Sequence, residues 1–458
     1  MSVMITFSNG SLIIKGEKNL LEQLEDYAEF DQRIGCYRAE AYRYSDIILT
    51  LRALKIEHVD NASAFSKLDV KITFQHQPRQ HQKDALKAWI SSKYRGVISM
   101  PTGSGKTYFA MLAMAYIKRT TMIVVPTIDL LHQWASLLER NFATKIGMLG
   151  GGSKEHGEIT VATYDSAQLH MEYCGNRYGL IIFDECHHLP SPGYRLAASM
   201  SIAPYRIGLT ATPDDDLERK KITDELIGPI VYQLHIDRLK GNILANYKIN
   251  RIYLHLTDEE QIRYDTNRSK YLSFVRSCGI DFNKENSWRE FIYKCAVSNE
   301  GKEAFTSYME QKAIARNAIA KIKTLWELIK KHKNEQMIIF TADNNTAYKI
   351  GETFFLPVIT HSTKAIERKN FLDKFRNGKY PIIVTSKVLN EGVDVPNASI
   401  GVVISGSASI REHVQRLGRI LRAKDNKGKA ILYELITYNT SEMNVSERRG
   451  QHRAYIMT

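Results

Sequence analysis

Arg95-Gly96-Val97-Ile98-Ser99-Met100-Pro101-Thr102-Gly103-Ser104-Gly105-Lys106-Thr107 is the stretch whose reading decides the fold. It opens with a short apolar β-run, continues through a glycine-containing loop, and leads into a helical segment at 108–117. Glycines let successive backbone N–H groups turn toward an anion, and the helix that follows adds the positive end of its dipole. In such a cradle Thr102, Gly103, Ser104 and Gly105 surround phosphate, Lys106 reaches the β and γ phosphates of a nucleotide, and Thr107 offers a hydroxyl to Mg2+. The general G-x-x-x-x-G-K-[ST] spacing would put glycine where Met100 stands, so the strand-loop-helix context carries the reading.

Outward from this stretch, apolar runs recur at Thr121-Met122-Ile123-Val124-Val125, Glu158-Ile159-Thr160-Val161 and Leu180-Ile181-Ile182-Phe183, separated by helical stretches. Strands apolar on both faces and alternating with helices predict a parallel α/β sheet. The rhythm returns at Met337-Ile338-Ile339-Phe340, Pro357-Val358-Ile359-Thr360, Pro381-Ile382-Ile383-Val384 and Ile400-Gly401-Val402-Val403-Ile404, which predicts a second such lobe. Between the two, 257–335 has helical periodicity and many aromatics: Tyr264, Tyr271, Phe274, Phe282, Trp288, Phe291, Tyr293, Phe305 and Tyr308. Two readings stand for these rings, inward packing of a small bundle or base stacking by one or two of them. At the start, Ile5-Thr6-Phe7, Ser8-Asn9-Gly10 and Leu12-Ile13-Ile14 predict a β-hairpin on an Asn-Gly turn, opening a small module that runs to about residue 69.

The 458 residues, 43% hydrophobic and 25% charged, suffice for roughly three domains and exclude disordered, collagenous and coiled-coil classes. The net charge of +13 makes a polyanionic partner plausible. Its distribution sharpens this: residues 1–70 carry 8 basic and 11 acidic side chains, 71–238 carry 19 and 16, and 239–458 carry 36 and 23. Within the last stretch 255–313 is almost neutral, with 9 basic and 10 acidic, so a neutral insert interrupts a basic domain. No stretch approaches the ~20 apolar residues of a spanning helix, and the five cysteines never form a C-x-x-C pair; an unsecreted protein in a reducing compartment is expected.

Three further constellations carry chemistry. Asp184-Glu185-Cys186-His187-His188 caps an apolar strand, where Asp184 can hold Mg2+ and Glu185 can orient or deprotonate a water; the alternative is a solvated acidic pair. A Cys-His-His zinc site is disfavoured because contiguous ligands cannot all face one ion. Thr210 and Thr212, in Leu209-Thr210-Ala211-Thr212-Pro213, offer hydroxyls to the acidic pair and so report nucleotide state. In Gln415-Arg416-Leu417-Gly418-Arg419-Ile420-Leu421-Arg422 the three arginines are spaced i, i+3 and i+6, so on a helix two or more can share a face, either as a solvated basic helix or as fingers reaching the γ-phosphoryl. Gly392 supplies a turn in Val388-Leu389-Asn390-Glu391-Gly392-Val393-Asp394-Val395-Pro396, with Asp394 placed to accept from a ribose hydroxyl.

Together these segments resemble, in order and spacing, the motif series of superfamily-two helicases, and Asp184-Glu185-Cys186-His187-His188-Leu189-Pro190 is similar to the D-E-x-H-H-L-P of the XPB family, especially its archaeal members. Residues 124–134, 162–167, 201–209, 386–396 and 415–422 also resemble that family, and 10–61 resembles its damage-recognition module. The resemblance implies two RecA-like parallel-sheet lobes at 71–238 and 239–458, an N-terminal α/β damage-recognition-like module at 1–70, and a helical thumb inserted at 257–313. It implies ATP and Mg2+ between the lobes, with Gln82 reading adenine, His187 beside the coupling threonines, and Gln415, Arg419 and Arg422 completing catalysis. DNA contacts would come from Pro126, Thr127, Thr163, Tyr164, His361, Thr385 and Ser386, mostly to phosphate and sugar. Single-stranded, forked or duplex DNA is the implied partner, with a nuclease on the thumb or second lobe, no membrane, and a cytoplasmic, nucleoid-associated site. The implied activity is 3′-to-5′ helicase or translocase work in excision repair or transcription-linked opening. Asp214-Asp215-Asp216 departs from the family's Arg-Glu-Asp, which keeps open duplex translocation or a nucleotide-switched scaffold with little strand separation.

Overall fold

The computed structural model describes residues 2–68, 77–142, 144–214, 216–234, 247–282, 284, 287–386, 398–405 and 430–443. The chain divides into two compact units, Met1–Arg238 and a second that begins at Leu239. Among the described residues each has its own parallel sheet, and the first also carries a small mixed one.

That small sheet joins β1 (Val3–Ser8), β2 (Ser11–Lys15), β3 (Glu29–Asp31), β4 (Cys36–Glu40) and β5 (His58–Asn61) in the order β3-β4-β2-β1-β5. β1 and β2 form the hairpin that the Asn-Gly turn predicts, Ser8 facing Ser11, and both Asn9 (φ +47°) and Gly10 (φ +72°) take the left-handed conformations that such a turn demands. Apolar residues of β1, β2 and helix Tyr44–Ala53 bury together, with Val3, Ile5, Leu12, Ile14, Ile47 and Leu51 fully enclosed. The hairpin tip docks on the neighbouring lobe: a Cβ at Gly10 would stand 2.7 Å from Met200 Cγ. Gly10→Ala is therefore expected to destabilise this unit by about 1–2 kcal/mol, from the left-handed backbone alone, as a lower midpoint in urea unfolding.

The eight-stranded sheet orders as β13-β6-β12-β11-β7-β10-β8-β9, built from β6 (Arg95–Ser99), β7 (Thr121–Val125), β8 (Ile146–Gly150), β9 (Ser153–Glu155), β10 (Ile159–Thr163), β11 (Leu180–Asp184), β12 (Tyr205–Thr210) and β13 (Ile230–Gln233). Only β8 and β9 pair antiparallel. The central runs are buried on both faces, as their unbroken apolar sequence requires. The second unit's sheet runs β14-β19-β18-β15-β17-β16, all parallel, from β14 (Tyr247–Leu254), β15 (Met337–Phe340), β16 (Val358–Ile359), β17 (Ile382–Thr385), β18 (Ile400–Val403) and β19 (Ala430–Thr437). The run at 357–360 shrinks to the two residues of β16 because it lies at the sheet edge, with β17 alone beside it.

Between β14 and helix Ile319–Lys331, helices Asp258–Ser277, Ser287–Val297 and Asn299–Arg316 form the helical insertion. Thr257 and Glu260 close a reciprocal capping box at its start. The aromatic residues divide. Phe291 is enclosed with Tyr271, Phe274, Phe305 and Tyr308 around it, and Tyr264 is buried, whereas Phe282 (42% exposed), Trp288 (44%) and Tyr293 (69%) stay open. Phe282 and Trp288 still pack one edge against Phe291, with ring centroids 6.0 and 5.3 Å away, so inward packing accounts for most of the rings and Tyr293 is the most open of them.

Candidate nucleotide site

Strand order alone gathers the chemistry. β6, β12 and β11 are neighbours, with Ser99 opposite Thr210 and Leu209 opposite Asp184, so the loop after β6, the acids after β11 and the threonines after β12 share the C-terminal edge of one sheet. Met100 N also donates to Thr210 O at 2.9 Å, tying the loop's root to β12.

The loop itself is preformed. Gly103 (φ +84°) and Gly105 (φ +94°) turn the backbone into helix Lys106–Ile117, and the buried Ser104 closes the turn on Pro101 O through its N–H (3.2 Å) and hydroxyl (2.7 Å). At Gly105 the left-handed backbone strains any other residue, and a Cβ there would also push the Gln82 amide aside. Helix Gln80–Ser91 grips the loop from behind: Gln82 Nε2 donates to Gly105 O at 3.2 Å while its Oε1 accepts from Arg79 N at 2.9 Å, and His81 Nε2 lies 2.9 Å from Ser104 O. Gln82, which the resemblance implies reads adenine, is in the structure a buried brace of the phosphate loop, and the buried His81 is a second one. Thr102, Gly103 and Thr107 are partly exposed at this loop and helix start.

Facing the loop, Lys106 Nζ contacts Glu185 Oε1 at 3.1 Å, with both side chains largely enclosed. Asp184 is buried and accepts from Trp134 Nε1 (2.8 Å) and Glu185 N (3.0 Å); burial first, and then the Glu185 charge, push its carboxyl up to about 6. Trp134 sits fifty positions away, and its only sequence signal is its place in the 124–134 run. Glu185 takes a left-handed backbone (φ +46°), turning the chain sharply off β11 into the 3-10 turn Cys186–His188. His187 Nδ1 stands 3.3 Å from Thr210 Oγ1 and 3.5 Å from Glu185 Oε2. Thr210 Oγ1 also donates to Thr212 O (2.8 Å) and accepts from Thr212 N (3.2 Å). The expected link from the threonines to the acids therefore runs through His187, with Thr212 contributing its backbone.

Several residues expected at DNA are differently employed. Tyr164 is fully buried and its hydroxyl donates to Asp184 O at 3.2 Å, so its side chain cannot face a nucleic acid here. Thr163 caps helix Tyr164–Cys174 by accepting from Ser166 N, and Thr127 accepts from Leu130 N beside the partly exposed Pro126. Thr385 and Ser386 are buried at the end of β17, the Thr385 hydroxyl donating to Ser386 O at 3.2 Å. Of the seven, His361 is exposed, 3.0 Å from Asn344 Nδ2. Gln415, Arg419, Arg422, Gly392 and Asp394 lie outside the described residues.

A glycine loop opening a helix, its lysine on a glutamate that follows a buried aspartate at a neighbouring strand end, defines a phosphate-loop nucleoside triphosphatase of the helicase type. Residues 75–215 match the type III restriction enzyme res subunit family, 295–456 the ERCC3/RAD25/XPB C-terminal helicase, and 5–62 the xeroderma pigmentosum group B helicase damage recognition domain. The DNA 3′-5′ translocase XPB2 of Sulfurisphaera tokodaii is 40% identical over 426 residues, covering 92% of this chain and 95% of that protein. The DNA 3′-5′ helicase XPB of Mycobacterium tuberculosis is 30% identical over 78% of this chain and 60% of its own length. The fold is similar to the Pyrococcus furiosus Hef helicase domain, with a TM-score of 0.54 and 18% identity over 82% of this chain and 98% of that domain. The chain belongs to the XPB family of superfamily-two helicases. Among its described residues, no helix is long and apolar enough to cross a membrane.

Proposed function

We propose that the chain is a DNA-dependent ATPase that moves 3′ to 5′ on DNA, as the names of its relatives state for them. The observation that carries this reading is the Lys106–Glu185 contact beside buried Asp184, at the mouth of a preformed phosphate loop. With nucleotide bound, Lys106 exchanges its carboxylate for phosphate oxygens, and Glu185 becomes free to orient a water and take its proton. Asp184 and Thr107 are the residues that would hold Mg2+, which supplies charge neutralisation on the phosphates. The rigid brace from His81 and Gln82 keeps the loop's N–H groups aimed while this exchange occurs. Gln415, Arg419 and Arg422, with Gly392 and Asp394, are proposed to act on the same nucleotide.

Duplex translocation with weak strand separation is the favoured form of this activity. Asp214 is paired with Arg219 Nε at 3.0 Å, and Asp216 caps helix Leu217–Leu226, so these two acids serve local structure and offer DNA phosphate no positive charge. Displacement of a third strand from a triplex, run beside unwinding of a 3′-overhang fork, tests this. ATP-dependent triplex displacement with little fork opening is expected; efficient fork opening would return the chain to the strand-separating helicases.

A further inference from the structure

Helix Leu217–Leu226 begins beside the catalytic edge. Its N-terminus is set by Asp216, whose carboxylate accepts from Glu218 N (2.9 Å) and Arg219 N (3.3 Å). From its first turn the Arg219 guanidinium reaches two separate segments. Nε donates to Asp214 Oδ2 at 3.0 Å, and Nη2 donates to His187 O at 2.6 Å. That carbonyl belongs to the 3-10 turn Cys186–His188, which Glu185 opens with its left-handed backbone. A non-glycine residue in that conformation costs about 1–2 kcal/mol, so the turn is held by its contacts.

The far end of the same helix is fixed independently. Glu225 Oε1 accepts from Tyr42 Oη (2.5 Å) and Arg43 Nη2 (3.1 Å) of the N-terminal module, and Glu225 O accepts from Arg95 Nη2 (3.0 Å). Leu226 O accepts from the buried Arg206 (2.8 Å). Anchored at both ends, the helix presents Arg219 from a fixed platform, and the planar fork of a guanidinium suits two acceptors at once.

We propose that Arg219 is a positioning residue for hydrolysis: through the His187 carbonyl it holds the 185–188 turn so that the Glu185 carboxylate keeps its place at the phosphate loop. This rests on the reading of Glu185 as the group that activates water. The tests are Arg219→Met and Arg219→Lys in the full chain, with Glu185→Gln alongside, measuring kcat and KM for ATP at saturating DNA and the affinity for a fluorescent ATP analogue. Arg219→Met is expected to lower kcat by about ten- to a hundredfold, as for other displacements of a catalytic group, while analogue affinity stays within about twofold. Arg219→Lys falls between that variant and the native chain, because an ammonium cannot reproduce the fork. A native kcat in Arg219→Met, or kcat and analogue affinity falling together, overturns the proposal. Should Arg219→Met fail to fold, a native kcat in Arg219→Lys does the same. Native turnover by Glu185→Gln would instead remove the underlying reading of the site, so the two failures are separable.

Discussion

Lys106→Ala and Glu185→Gln are each expected to abolish measurable ATP turnover, but to move nucleotide binding in opposite directions. Loss of a general base costs about 10²–10⁴ in rate, and loss of a preorganised cation on developing charge about 10²–10³. The two part company because the side chains contact each other at 3.1 Å. In Glu185→Gln the amide keeps the shape but no longer competes as an anion for Lys106, so a fluorescent ATP analogue should bind at least as tightly as to the native chain. In Lys106→Ala the loop loses its cation and the Glu185 charge stays at its mouth, so the analogue should bind more weakly. Phosphate release and analogue titration on the same preparations check both halves. Equal weakening in the two variants would mean that the observed pair does not compete with phosphate.

The second large effect concerns stability. Arg206, fully buried in β12, has no carboxylate within ion-pair distance among the described residues; Nε donates to Ala203 O (3.0 Å), Nη1 to Ala198 O (3.0 Å) and Leu226 O (2.8 Å), and Nη2 to Ser201 O. Burial opposes the charge, so the guanidinium is tolerated because these carbonyls surround it. Arg206→Met leaves the Ala203, Ser201 and Leu226 carbonyls without this donor, while Ala198 O keeps Ser201 N at 3.3 Å, and a loss of about 3–5 kcal/mol is expected. Trp89 and Trp134 are buried in this lobe, and Trp89 Nε1 donates to Arg206 O, so their fluorescence during urea unfolding follows the change. A midpoint near the native value would show that the carbonyls find other donors.

Both large predictions concern residues that the sequence reveals unequally. The sheets were readable because buried parallel strands such as Thr121–Val125 and Leu180–Asp184 are unbroken apolar runs. The phosphate loop and the acids were readable because their chemistry is packed into a few consecutive positions. Arg206, Arg219 and Trp134 leave no such trace: apart from Asp214, five positions before Arg219, their partners are backbone carbonyls or a carboxylate fifty positions away, and only folding brings these together. Ala430–Thr437, with a buried glutamate among its apolar residues, escaped notice because the ion pair of Glu434 with Arg251 is invisible in the chain order. Tyr164, Thr385 and Ser386 show the converse. Resemblance assigned them to DNA, while packing places their side chains inside the lobes that would carry it.

The measurement that bears most directly on the central claim is steady-state ATP hydrolysis by the full chain with no nucleic acid, single-stranded DNA, blunt duplex and a 3′-overhang fork, at two salt concentrations. Phosphate contacts weaken steeply with salt, so stimulation carried by the basic second half should fall as salt rises. The account predicts turnover that DNA stimulates, duplex included, and that vanishes in Glu185→Gln. Turnover indifferent to every DNA, or surviving that substitution, would contradict it.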